Sequence, residues 1–81
     1  MPKRTMKREK TLPMLSPGEK GTVRAVLCRG AIRRRFLDIG IIPGTEIFCF
    51  GKSPLGDPRA YRVRGKLIAI RNEDAKNVII F

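Results

Sequence analysis

The chain has no histidine, no tryptophan, two cysteines, one tyrosine and only seven acidic side chains among its 81 residues. Each scarcity removes a class of function. Without imidazole there is no side chain that titrates near neutral pH unperturbed, and the commonest transition-metal ligand is missing. Two cysteines alone cannot fill a four-ligand zinc site within one chain. Cys28 and Cys49, 21 residues apart in apolar segments, read as small core hydrophobes in a reducing compartment. A disulfide between them, or a soft-metal pair shared by two chains, is the alternative. No apolar run approaches the roughly 20 residues that span a bilayer, and the N-terminus lacks the apolar core of a secretory signal. The expected location is the cytoplasm.

Acid–base chemistry is equally short of parts. Asp38, Glu46, Asp57, Glu73 and Asp74 sit singly in turns or at exposed positions. No nucleophile has an evident base, and there is no glycine-rich phosphate loop or metal-ligand spacing. The expectation is a protein that is not an enzyme and has no cofactor and no metal site.

Positive charge is abundant: 18 Lys and Arg against 7 Asp and Glu give a net +11. Such a chain is drawn to something acidic, whether nucleic acid, an anionic membrane face or an acidic protein. Residues 1–11 carry Lys3, Arg4, Lys7, Arg8 and Lys10 against Glu9, with Met1 and Met6 their only large apolar groups. That composition predicts a disordered basic tail, either solubilising or tethered weakly to anionic lipid. Residues 12–81 then form one small domain that is itself basic, with 13 Lys and Arg against 6 Asp and Glu, a net +7.

Within 12–81 the punctuation is clear. Ser16-Pro17-Gly18-Glu19 reads as a tight turn. A strand follows, in which Val23, Ala25 and Leu27 alternate with Thr22, Arg24 and Val26. The period then becomes helical: Ile32, Phe36 and Ile39 share a face with Leu37 beside them, and Gly40 stands where a left-handed residue ends a helix. Pro43-Gly44 fits a type II turn. Thr45 to Phe50 is a strand with Ile47 and Cys49 on one side and Glu46, Phe48 and Phe50 on the other. Ala60–Arg64 and Leu67–Arg71 flank Gly65-Lys66 as a two-residue hairpin. Asn72 to Asn77 offers a cap and one helical turn, and Val78 to Phe81 closes as a strand.

Five short strands, one short helix between the first two, and a helical turn before the last strand predict a mainly β, five-stranded SH3-like barrel. Its expected core is Leu15, Val23, Ala25, Leu27, Ile32, Phe36, Leu37, Ile39, Ile47, Cys49, Tyr61, Val63, Leu67, Ile68, Ile70, Val78 and Ile80. Arg33-Arg34-Arg35 reads either as a solvated helix face or as an anion-facing ridge. Its charge comes without an evident stacking platform, since the aromatics are few and Phe36 and Tyr61 have core assignments, so no specific nucleic acid is expected.

In order, Leu15-Ser16-Pro17-Gly18-Glu19-Lys20-Gly21, Arg33-Arg34-Arg35-Phe36-Leu37-Asp38-Ile39-Gly40-Ile41-Ile42-Pro43-Gly44-Thr45, Ser53-Pro54-Leu55-Gly56-Asp57-Pro58, and Arg64-Gly65 with Leu67-Ile68-Ala69-Ile70-Arg71 resemble the FeoA family of small proteins of bacterial ferrous iron uptake. The resemblance covers about residues 12–81. It implies an SH3-like barrel, related to the C-terminal domain of iron-dependent repressors, that is an accessory to the membrane ferrous iron transporter FeoB. It implies docking on the transporter's cytoplasmic side, at the inner face of the membrane, and supplies no iron site. The contact candidates are Arg33, Arg34, Phe36 and Leu37 on the helix and Leu55 and Asp57 in the loop. Gly40, Pro43, Gly44, Pro54, Gly56, Pro58 and Gly65 are motif residues with structural work. Turn chemistry explains that loop except for Leu55, which either packs over one end of the barrel or meets a partner. The other function weighed is a basic SH3-like nucleic-acid-binding module. The basic tail and the two cysteines depart from the family pattern.

Overall fold

The computed structural model describes residues 9–52 and 54–81, with the side chain of Lys52 left aside. The expectations for residues 1–8 and for Ser53 fall outside this range. Six antiparallel strands form the sheet: β1 (Lys10–Thr11), β2 (Lys20–Val26), β3 (Glu46–Lys52), β4 (Arg59–Val63), β5 (Lys66–Ile70) and β6 (Val78–Ile80), in the order β1-β6-β2-β3-β4-β5. A 3-10 turn (Leu12–Met14) follows β1, helix α1 (Gly30–Ile39) joins β2 to β3, and a single turn α2 (Asn72–Ala75) precedes β6.

The mainly β, SH3-like layout expected from the sequence is found, with six strands in place of five. The extra strand lies in what was expected to be tail. Lys10 and Thr11 pair with Ile80 and Ile79, and Glu9 accepts a hydrogen bond from Arg24 at 2.8 Å. Composition alone called this segment too polar to order itself. Its backbone is held by the edge of β6, which needs no apolar side chain.

β2 serves both halves of the sheet. Its first residues pair with β3 (Gly21↔Ile47) and its last with β6 (Val26↔Val78), with a register shift between Val23 and Ala25. A bulge of this kind turns the side chains that follow out of phase. Val23 is buried as expected, but Leu27 is 58% exposed and Cys28 is buried instead. Val23 N–H and C=O are both satisfied by the neighbouring turn, through Thr45 O and Gly44 N at 2.8 Å each.

α1 ends as expected at Gly40, which has φ 105°. Gly40 N–H donates to Leu37 O at 3.1 Å and Ile41 N–H donates to Phe36 O at 2.8 Å, the pair of bonds that defines a Schellman ending. That motif brings together the residues on either side of the glycine, and Phe36 and Ile41 are both buried in the one core. Ile41 was absent from the expected core. Leu37, which was in it, is 50% exposed, because Phe36 is the one residue of α1 that is buried.

The proline-led turns form as expected. Glu19 N–H reaches Ser16 O at 2.9 Å, Thr45 N–H reaches Ile42 O at 3.0 Å, and Gly18 and Gly44 carry φ values of 92° and 97°. The hairpin sits one residue earlier than expected: Val63 pairs with Lys66, so Arg64 (φ 52°) and Gly65 (φ 85°) are the turn. Two positive φ values in sequence are what a type I′ turn requires. The shift carries Leu67 to the outer face, 56% exposed.

The core also takes in Leu12, Ala75 and Ile79, while Ala25, Ile32, Ile39 and Ile68 lie at its margin. Arg59 ties the N-terminal segment to β4 by donating from Nη1 to the carbonyls of Pro13 at 2.6 Å and Leu15 at 2.7 Å. Cys28 and Cys49 are free thiols, both buried.

Candidate functional site

The loop 54–58 is held by its own residues. Asp57 Oδ1 accepts the backbone N–H of Asn72 at 2.9 Å, and Asn72 Nδ2 donates to Gly56 O at 3.1 Å. The first N–H groups of a helix lack intrahelical acceptors, and Asp57 supplies one from across the fold. Asn72, expected to cap this turn, is its first helical residue, and Arg71 occupies the capping position without a side-chain bond. Asp57 therefore acts within the chain. Leu55 does not pack over the end of the sheet: it is 92% exposed. Pro54 and Pro58 are exposed beside it, and Gly56 carries φ 84°.

The helix candidates divide in the same way. Phe36 is a core residue, and burial takes it off the list of contact groups. Arg34 and Leu37 are exposed, and Arg33 is exposed while donating to Val26 O at 3.3 Å. The outward set is thus Arg33, Arg34 and Leu37 on α1 and Leu55 at the loop tip.

A second surface was missed in the sequence. On the outer face of the sheet, register places Lys20, Phe48, Arg62 and Leu67 side by side on β2, β3, β4 and β5. Arg62 lies over the ring of Phe50, 5.8 Å from its centroid, a cation–π arrangement. Beside this row is a concavity of about 450 Å³ lined by Gly44, Thr45, Glu46, Phe48, Arg62, Arg64 and Gly65. Its walls include parts of two motifs singled out in the sequence, Gly44-Thr45 and Arg64-Gly65. Gly40 buttresses it: a methyl group there would run into the side chain of Arg64, and a cation at a helix C-terminus is favourable. Lys20 pairs with Glu46 at 3.6 Å, whereas Arg62 and Arg64 have no ion-pair partner among the described residues. The one signal available in sequence was Phe48 and Phe50, apolar residues set beside Glu46 on the side away from the core.

Tyr61 lies under this face, fully buried, and its hydroxyl has no hydrogen-bond partner among the described residues. Burial pushes its phenol above the ordinary value of 10.0, with the nearby Arg59 drawing it part of the way back. Among the described residues no three His, Cys, Asp or Glu side chains are grouped to hold a metal, and no helix is long and apolar enough to cross a membrane.

These features define a small SH3-like β domain with apolar and basic side chains exposed on its surface. Residues 10–80 match the FeoA domain family, and the chain belongs to that family. It is 33% identical over 67 residues to a fusion of Fe(2+) transport protein A with the Fe(2+) transporter FeoB from Porphyromonas gingivalis. The match takes in 83% of this chain and 8% of that protein. Among solved structures, a FeoA-like protein from Clostridium acetobutylicum superposes with a TM-score of 0.81 at 34% identity, over 90% of this chain and 85% of its own. FeoA of Stenotrophomonas maltophilia, described as an SH3 domain protein and solved with zinc, gives 0.79 at 29% identity over 89% of each. A manganese-dependent transcriptional repressor gives 0.76 at 16% identity, over 89% of this chain and 40% of its own, a likeness of fold alone.

Proposed function

We propose that this chain is a cytoplasmic, non-enzymatic accessory of ferrous iron transport that docks on the cytoplasmic side of a FeoB-type transporter. The observation that carries the reading is the homologue in which an FeoA unit and FeoB are one polypeptide: tethering is useful only where two parts work in contact. The exposed Arg33, Arg34, Leu37 and Leu55 are the contact groups we assign. Leu55 is the anchor, since a leucine exposed at a loop tip gains most from burial, about 2 kcal/mol. The basic segment at residues 1–8 adds attraction to anionic lipid at the same membrane face.

The test is ferrous iron uptake in cells lacking the endogenous chain, complemented with wild type, Leu55→Asp or Leu37→Asp. Reduced uptake by either variant at normal protein level supports the reading, and full uptake by both rejects it.

One observation favours a second reading, a nucleic-acid-binding module. Phe50, which the alternation places on the outer side of its strand, stands 53% exposed with Arg62 over its ring. Filter binding of duplex DNA and RNA at physiological salt decides it, because charge-driven binding without base contacts falls steeply with salt.

A further inference from the structure

We infer that the open edge of β5, with the basic face beside it, binds an acidic peptide strand in which carboxylates alternate with aliphatic side chains. This deepens the docking reading by naming a partner's chemistry, and it rests on residues other than Leu55.

Among the described residues β5 pairs with β4 alone, and no other strand lies on its far edge. In a two-residue hairpin the pair flanking the turn is hydrogen-bonded and pairs alternate from there. Val63↔Lys66, Tyr61↔Ile68 and Arg59↔Ile70 are therefore bonded across the ladder, while Leu67 and Ala69 direct their backbone groups away from β4. Their side chains are also exposed. A peptide that adds a strand here gains main-chain hydrogen bonds, and every second side chain falls on the outer face. The carboxylates of an alternating peptide then share the outer face, where Arg62 and Arg64 are the cations beside the exposed Leu67, and its aliphatic side chains share the inner face beside the half-buried Ile68. Arg62 and Arg64 lack an ion-pair partner among the described residues, so a carboxylate can take both donors in the fork of a guanidinium.

Charge chooses among occupants. A second copy would set Arg62, Arg64 and Lys66 against themselves, in a chain of net charge +11. Single-stranded nucleic acid would want a free aromatic face, but Arg62 already covers the ring of Phe50. Nor can phosphate or base edges complete a β ladder.

The test is a backbone-amide NMR titration of the full chain with an end-blocked peptide of four Glu-Val repeats. The controls are the Lys-Val counterpart and an oligothymidylate of eight nucleotides. We expect shifts centred on Leu67, Ile68 and Ala69, with Arg62 following. Arg62→Gln weakens binding about tenfold, the usual scale for one charge-assisted hydrogen bond. Ala69→Pro abolishes it, because proline removes the outward N–H and leaves the β4 ladder intact. If Ala69→Pro does not fold, Leu67→Glu, whose side chain is already exposed, must abolish binding instead. Equal binding of the lysine peptide, tighter binding of the oligonucleotide to the same amides, or unchanged affinity in Arg62→Gln overturns the inference. The titration contains no transporter, so its failure leaves the uptake test of Leu55 untouched, and the reverse also holds.

Discussion

Gly40, Asp57 and Tyr61 show how single positions set the stability of this domain. Gly40 has φ 105° and Arg64 packed against its Cα, so Gly40→Ala adds both a left-handed alanine and a clash. The expected loss is about 1–2 kcal/mol from the backbone alone, measured by urea denaturation. Adding Arg64→Ala should restore only the part due to the clash. Asp57→Ala removes an acceptor from the first turn of α2, at a cost of about 1 kcal/mol, and Asp57→Asn, which keeps an acceptor, should cost less. Tyr61 buries a hydroxyl with no partner among the described residues, so Tyr61→Phe should be neutral or stabilising. Its raised pKa fixes the pH dependence. The folded state holds the phenol proton more tightly than the unfolded state, so the contribution is intact below the ordinary value of 10.0 and is lost as pH rises above it. Denaturation between pH 9 and 11.5 should show the wild type losing stability more steeply than Tyr61→Phe.

At the scale of elements, what was legible in the sequence was whatever depends on neighbours along the chain. Gly40, Pro43-Gly44 and Ser16–Glu19 announced their turns because glycine and proline carry the required φ themselves. What was illegible depends on partners distant in sequence. The bulge in β2 arises because that strand exchanges β3 for β6, and it moved Leu27 out and Cys28 in. Arg64 gives no sign of its φ of 52°, so the hairpin was placed one residue late and Leu67 was assigned inward. Ile41 could have been found, since a residue after a Schellman glycine packs back on the helix. The site divided similarly: Gly56 carries the positive φ that its place in the loop suggested, while the inward turn of Phe36 and the capping role of Asp57 needed the fold. Arg59 makes the same point energetically. Its two bonds to Pro13 and Leu15 fasten the 3-10 turn to the fourth strand, so Arg59→Ala should cost about 2 kcal/mol and speed hydrogen exchange at the Leu15 amide.

For the molecule as a whole, three things converge: a basic SH3-like domain, exposed apolar groups at Leu37 and Leu55, and membership of a family with a member fused to FeoB. None of them supplies chemistry, and all of them suit contact. Positive charge acts at this scale too, raising encounter rates with an acidic partner and making them salt-dependent. The most direct test of the docking claim is co-purification of the full chain with the cytoplasmic part of its FeoB-type transporter, comparing wild type with Leu55→Asp. The account predicts capture by the wild type at physiological salt and a loss of about tenfold or more in the variant, the scale of one buried leucine. Equal capture of both, or of neither while both remain folded, would contradict it.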